Sequence, residues 1–415
     1  MEVAIIGGGI VGLSTAFFLQ RDGHRCTVIE RGTIGTGTSV NNAGWIVPSF
    51  SSPLPGPGVI PEAIRWLPSL TGPLSIRPRA DPRFARWLLG FCRACTKAAY
   101  ARGQRAMTAL ASRAHAALDS FRAAGIAFEE HRRAMLVLCL SRTEFERRLR
   151  SMEALRSSGY EPVPIRDPRR VEPAIREEVH GAIRLVGDRN VEPRSLLTGL
   201  RDHLRRSGVE VVQGARVERI RPTEGSVEVR AGSAAWRVDA AVIAAGLWSA
   251  ELVRSAGGPD LPLEAGKGYT LDYEPPPVEL SNMLYLQEGR VAVSPLAHSV
   301  RLAGTVELGN ADPAPVPRRI AGVARTVGRY LRGWPADAGS GRAGVGFRPM
   351  TPDGLPVIGP LDRWPHVVVA TGHGKQGLTL GPPTGEAVAE YLTSGRMPPS
   401  VSAFRPERFR EGIRG

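Results

Sequence analysis

The first thirty positions carry the clearest alternation of apolar and polar residues in the chain. Val3 to Ile6 is an unbroken apolar run, glycines follow, apolar positions recur through roughly Val11 to Asp22, and a second apolar run spans Cys26 to Glu30. This predicts strand, glycine turn, helix and strand, the opening of a βαβ unit. Phe84, Trp87, Leu88 and Phe91 fall at i, i+3, i+4 and i+7, which predicts a helix whose aromatic face is core, followed by a longer helix to about Ala124. Met135 to Leu140 reads as a buried strand, Arg142 to Ser157 as a charge-dense helix, and Leu196 to Ser207 as a helix stopped by Gly208. Strands are expected at Val209–Val212, Arg216–Ile220, Val227–Val229 and Val242–Ala245, then at Tyr269–Tyr273, Met283–Leu286, Val291–Val293 and Val300–Ala303. A final strand, Val367 to Ala370, leads through a glycine loop into a last helix, Thr384–Thr393. The Pro-, Gly- and Ser-rich stretch from Pro48 to Pro82 is expected to be ordered but irregular, and reads equally as a lid over a site or as a linker.

Placed on these elements, Gly7-x-Gly9-x-x-Gly12 sits between a strand and a helix, and Glu30 ends the next strand 18 residues beyond Gly12. The first glycine permits the turn, the second lets a pyrophosphate approach backbone N–H groups, the third allows close helix packing, and the acid can accept from ribose hydroxyls. FAD and NAD share this half, so distant segments must decide between them. Val242 to Gly246 is an apolar strand ending on small residues, suited to close passage of a second backbone edge. Thr371-Gly372-His373-Gly374 precedes a helix whose free N–H groups would stabilise an anionic reduced flavin. Gly246, Gly372, His373, Gly374, Gly377 and Leu378 are the candidates there, and together these segments favour non-covalent FAD. His373 by itself reads as a loop residue with a structural hydrogen bond. The expected fold is α/β, α+β overall, with a Rossmann-like FAD-binding domain (1–50, 141–256 and 340–415) into which a mixed α+β substrate-binding domain (51–140 and 257–339) is inserted.

Composition narrows this picture little. The 415 residues, 42% of them apolar, can bury a large core, and the apolar runs are too short to cross a bilayer. Met1 and Glu2 lead straight into the first strand, so neither a signal nor a transmembrane helix is expected, and the cytoplasm is the expected location. Cys26, Cys92, Cys95 and Cys139 are too few and too irregular for a disulfide framework, and Cys92 and Cys95 lie within a helical pattern without a second ligand pair, so no metal is expected. The net charge of +14 comes from 54 basic residues of which only Lys97, Lys267 and Lys375 are lysines. Spread along the chain, they read as a solvated basic surface, and no specific nucleic acid is expected. Peripheral contact with an anionic membrane through this surface and the 48–82 stretch is the weaker alternative.

These segments resemble the D-amino acid oxidase and glycine oxidase superfamily, most nearly the bacterial D-amino acid dehydrogenase small subunits. The likeness runs through Gly7 to Gly12 with Glu30, Asn41-Asn42-Ala43-Gly44, Lys267-Gly268-Tyr269, Gly346-Phe347-Arg348-Pro349-Met350-Thr351-Pro352-Asp353-Gly354 and Thr371 to Gly374. It implies that Arg348 pairs with a substrate carboxylate, that the loop carrying Asn42, Ala43 and Gly44 lies beside the flavin ring, and that Val217 of a Gly-x-x-Val strand meets adenine through its backbone. A guanidinium suits that task on physical grounds as well, since it binds a carboxylate bidentately and fixes its orientation. Tyr269 and Tyr285 are candidates to hold substrate, each equally readable as core. Lys267 reads as structural, with a role in oxygen reactivity as the alternative.

The chemistry so implied is oxidative deamination of a D-amino acid by hydride transfer to flavin N5, giving a 2-oxo acid and ammonia, with electrons passing to a quinone, another carrier or oxygen. Rival readings are oxidation of glycine, sarcosine, proline or hydroxyproline, a basic nucleic-acid-binding flavoprotein, and a flavin sensor without turnover.

Overall fold

The computed structural model describes residues 1–67, 69, 71–335 and 341–410. Strand Glu2–Ile6, helix Ile10–Arg21 and strand Arg25–Glu30 form the expected opening. In the six-stranded sheet built on it, the order is 210–213, 25–30, 2–6, 240–243, 364–371, 357–361, parallel throughout except for the last, antiparallel pair. Its central strands are buried on both faces, which is why Val3 to Ile6 and Val367 to Ala370 are unbroken apolar runs. Between Glu210–Gln213 and Ala240–Ile243 the chain makes an antiparallel meander, 219–223, 226–231 and 234–238.

A nine-stranded mixed sheet forms the other half, ordered 342–350, 264–273, 300–308, 291–295, 283–286, 135–139, 181–185, 163–165, with Leu74–Ile76 added alongside Val306–Leu308. Separate apolar clusters cover its faces, one around Leu271, Leu302, Val323 and Tyr330, another around Trp45, Met135, Val137 and Ile183. A small sheet of Trp45–Ile46, Arg189–Val191 and Glu130–His131 joins the halves.

The fold class is as expected, but the sheets cut across the expected domain boundaries. Strands 163–165, 181–185 and 342–350 belong to the large sheet rather than to the nucleotide half. Conversely, Met107, Leu110, Leu118 and Phe121 from the helices Lys97–Ala111 and Ala114–Ala123 pack with Leu13, Phe17 and Phe18 of the first helix, Phe17 and Phe121 meeting edge to face at 4.9 Å. The boundary expected at 339/340 lies outside the described residues.

Some element ends also differ. Helix Gly377–Ser394 begins seven residues before the expected Thr384, running through Pro382 and Pro383. Its early residues are almost wholly buried, and that packing outweighs the lost helical hydrogen bonds. The strand expected at Arg216 starts at Arg219, which leaves Val217 in the connection before it. Strand Ala234–Val238 and helices Pro317–Gly328 and Val59–Trp66 were not anticipated; the last lies within the Pro-rich stretch and has no buried residue.

Candidate active site

Between the two halves runs a cavity of about 1400 Å³, reaching from the glycine turn to the face of the large sheet. Its first end is made of backbone. Gly7 has φ 115° and donates its N–H to Ile29 O at 2.9 Å; a side chain there would strike the Ala244 carbonyl, and one at Gly12 would overlap the carbonyl of Gly7. Gly12 is therefore a packing residue that does not line the cavity, whereas Gly7 and Gly9 do, Gly9 capping the helix Ile10–Arg21. Glu30 accepts from Gly8 N at 2.8 Å and Gly32 N at 2.9 Å, which fixes its carboxylate at the cavity wall. Val217, Gly246 and the Arg31 guanidinium, stacked 3.3 Å from the Trp248 ring centroid, complete this end. An open helix N-terminus, an acid held at the end of the second strand and glycines at the points of closest approach fit the ADP half of a dinucleotide.

Midway, the loop before Trp45 is clamped to the large sheet. Asn42 Oδ1 accepts from Gly44 N at 2.7 Å and Ser294 Oγ donates to Ala43 O at 2.6 Å. Asn41 Nδ2 donates to Val345 O at 2.9 Å, and Thr38 Oγ1 is bonded to both the carbonyl and the N–H of Phe347. The loop and the strand that carries Arg348 are thus held as one unit. Asn42 and Ala43 line the cavity; Gly44 sits behind it, where only a glycine clears the Val191 carbonyl. From the opposite side come His373, Gly374, Gly377 and Leu378, at the N-terminal end of Gly377–Ser394. Gly372 makes the turn behind them, with φ 74°. His373 is buried against Thr384 Oγ1 at 3.0 Å, and burial pushes its pKa down to about 3, so it is neutral and structural.

The far end is built from side chains. Arg348 projects from strand Arg342–Met350 across Gly268, where any Cβ would overlap its guanidinium. Its Nη1 donates to Thr305 O at 2.8 Å. Among the described residues it has no carboxylate partner, and burial lowers its pKa to about 10. Trp45, Phe50 and Tyr285 form an edge-to-face aromatic wall with centroid separations of 5.3 to 6.4 Å. Arg290 and Thr305, the two non-glycine described residues with left-handed backbone (φ 53° and 60°), both line this end, strain of a kind that collects at functional sites.

Tyr285 is therefore in the site. Tyr269 is not: its ring lies in the core and its hydroxyl donates to Glu307 Oε1 at 3.1 Å, away from the cavity. Lys267 is fully buried and donates to Ala314 O at 2.6 Å, a structural role. Sequence reasoning missed Lys375, Arg148 and Arg290. Lys375 lines the cavity with its side chain exposed there; desolvation among its neighbours first, then the charges of Arg148, Arg290 and Arg348, bring its pKa down to about 8. One of three lysines in an arginine-rich chain, set in the Thr371 loop, it carried a signal that could have been read. Arg148 and Arg290 carried none.

A Rossmann-like half, a dinucleotide cradle and a pocket whose arginine has no acid partner among the described residues together fit an oxidoreductase of the flavin-binding type. The family model described as FAD dependent oxidoreductase matches residues 2–391, and the chain belongs to this family. It is 33% identical over 411 residues to a D-amino acid dehydrogenase of Xanthobacter autotrophicus, covering 96% of each chain. Over 420 residues it is 31% identical to one of Bradyrhizobium diazoefficiens, covering 99% of each. Among solved structures it superposes on glycine oxidase from Geobacillus kaustophilus (TM-score 0.77, 21% identity, 98% of each chain) and on L-proline dehydrogenase from P. horikoshii (TM-score 0.77, 19% identity, 99% and 98%).

Proposed function

We propose that this flavoenzyme oxidises the Cα–N bond of a D-amino acid, with Arg348 binding the α-carboxylate. The observation that carries this reading is a guanidinium at the cavity end with one backbone acceptor and no acid among the described residues, a part-buried charge that an incoming carboxylate would satisfy. FAD, held without a covalent bond by the glycine turn, Glu30 and the 371–378 loop, supplies a two-electron acceptor when bound.

The chain's own contribution is placement. Arg348 fixes two carboxylate oxygens, Thr305 O fixes Arg348, and the clamped 38–44 loop holds that strand against the flavin side of the cavity. Trp45, Phe50 and Tyr285 exclude water and leave room for a side chain beyond glycine. No protein base is required: substrate binds with its amine neutral, Cα loses hydride, nitrogen loses a proton, and water converts the imine to 2-oxo acid and ammonia. Electrons leave to a quinone or another carrier.

No described helix is long and apolar enough to cross a membrane. Contact with an anionic membrane would fall on Ile60, Ile64 and Leu67, which are exposed at Val59–Trp66, and co-sedimentation with anionic against neutral vesicles tests it. The main reading is tested by anaerobic mixing of the holoenzyme with D- and L-amino acids, glycine and proline. Bleaching by several D-amino acids is expected, and bleaching by glycine or proline alone would overturn the reading.

A further inference from the structure

The substrate end of the cavity holds more positive charge than one α-carboxylate can neutralise. Arg290 is paired with Glu62 at 2.7 Å and Arg147 with Glu144 at 2.7 Å, so both acids here are already engaged. Arg348, Lys375 and Arg148 remain without a carboxylate partner among the described residues. Arg148 is the least expected of the three. It comes from helix Arg142–Met152, its guanidinium lies 4.9 Å from the Phe50 ring centroid, and its Nε is buried with no hydrogen-bond acceptor. Tyr285, Tyr100 and Cys139 surround it, together with the like charge of Arg290. A cation–π contact leaves its in-plane donors unused, and a desolvated guanidinium with an orphaned N–H costs stability unless something anionic completes it.

The aromatic wall gives that something a direction. Phe50 stacks on Arg148 and meets Tyr285 edge to face, and Arg148, Arg348 and Lys375 all line the same cavity. With an α-carboxylate held at Arg348, a side chain that followed the wall of Trp45, Phe50 and Tyr285 would come to Arg148.

We propose that Arg148 binds a second carboxylate, so that the preferred substrates are amino acids with acidic side chains, such as D-glutamate or D-aspartate. This rests on the reading of Arg348 as the α-carboxylate anchor. The reaction is unchanged: two electrons and the Cα hydrogen go to FAD, nitrogen loses a proton, and water releases ammonia while the distal carboxylate is untouched.

Two measurements on the FAD-loaded full chain test it. In anaerobic reduction, kcat/KM for D-glutamate should exceed that for D-glutamine by about 10- to 100-fold, the scale of a charge-assisted hydrogen bond. In Arg148→Met that ratio should fall toward one, and Arg148→Lys should restore part of it. A ratio near one in the wild type, or a ratio unmoved by Arg148→Met, overturns the proposal. The second measurement needs neither turnover nor a variant. Glutarate should perturb the flavin spectrum at about tenfold lower concentration than butyrate, because it can engage both guanidiniums. Equal affinities overturn the proposal even if D-amino acids are substrates. Tighter glutarate binding without flavin reduction by any D-amino acid sustains the second-carboxylate site while removing the D-amino acid reading.

Discussion

The two ends of the cavity are built on opposite plans. At the nucleotide end the cavity is lined mainly by the backbone and glycines of the first turn, and Glu30 is held there by Gly8 and Gly32. At the substrate end the groups are long side chains gathered from residues 45–50, 144–148, 285–305, 348 and 375, and three cations lack an acid among the described residues. The first end is assembled largely by local geometry and offers backbone N–H groups. The second is assembled by tertiary convergence and waits for charge. Glycine substitutions should therefore act by exclusion at one end, and charge substitutions by lost attraction at the other.

The sharpest break in this contrast is Gly12→Val. Its Cβ would overlap the Gly7 carbonyl, so the turn cannot form, and purified protein should be colourless and not reconstituted by added FAD. A yellow Gly12→Val protein would mean that the turn tolerates what its packing forbids.

Next in size is Arg348→Ala, which should keep FAD yet lose kcat/KM for a carboxylate substrate by about 30-fold or more, the effect of removing one partner of a buried charge pair at roughly 2–5 kcal/mol. Because a misoriented substrate presents Cα poorly, kcat should fall as KM rises, with partial recovery in Arg348→Lys. Near-native turnover by the FAD-replete variant would remove Arg348 from the site.

Lys375 gives a smaller, pH-dependent effect. In the ligand-free cavity its pKa is about 8, below the ordinary lysine value, through burial and then three neighbouring arginines. An anion raises that pKa, so binding of butyrate should take up protons near pH 8 to 9 and weaken as pH rises through that range. For stability the sign is the reverse: the folded chain binds fewer protons here than the unfolded one, so this residue's penalty is relieved as pH rises above about 8. Lys375→Met should flatten the butyrate profile, measured by flavin spectral titration; an unchanged slope would assign the proton to another group.

Smallest is Tyr269→Phe. Loss of its bond to Glu307 should cost about 1 kcal/mol of unfolding free energy by denaturant titration, with kcat/KM unaltered, since Glu307 keeps Arg319 at 3.2 Å and Asn310 at 2.7 Å. A large loss of activity would bring Tyr269 back into the site.

The same contrast explains what could be read from sequence. The opening βαβ unit was legible because its glycines, apolar runs and acid are neighbours whose spacing is itself the requirement. Arg348 stood out through the run around it, and the Thr371 loop through its place between strand and helix. Tyr269 and Tyr285 looked alike, and only the register of strand Glu264–Tyr273 against its neighbours turns one into the core. Arg148 could not be separated from the other arginines of a charge-dense helix, because what distinguishes it is a ring contributed from about a hundred positions earlier. The early start of the last helix was hidden by Pro382 and Pro383, whose local penalty is overridden by burial.

The placement of that last helix bears on how the molecule comes into being on the ribosome. Gly377–Ser394 lies against Ile10–Arg21, and strand Trp364–Thr371 closes the sheet beside Ala240–Ile243, itself the neighbour of the first strand. The glycine turn and the helix that packs on its neighbour Ile10–Arg21 are far apart in sequence, so the nucleotide half is not assembled from its early segment alone. Strand Glu2–Ile6 meets one partner, Arg25–Glu30, at once, but its other partner, Ala240–Ile243, only much later. A chain without Gly377–Ser394 would leave the apolar face of Ile10–Arg21 uncovered, exposing Leu13 and Phe17 to water.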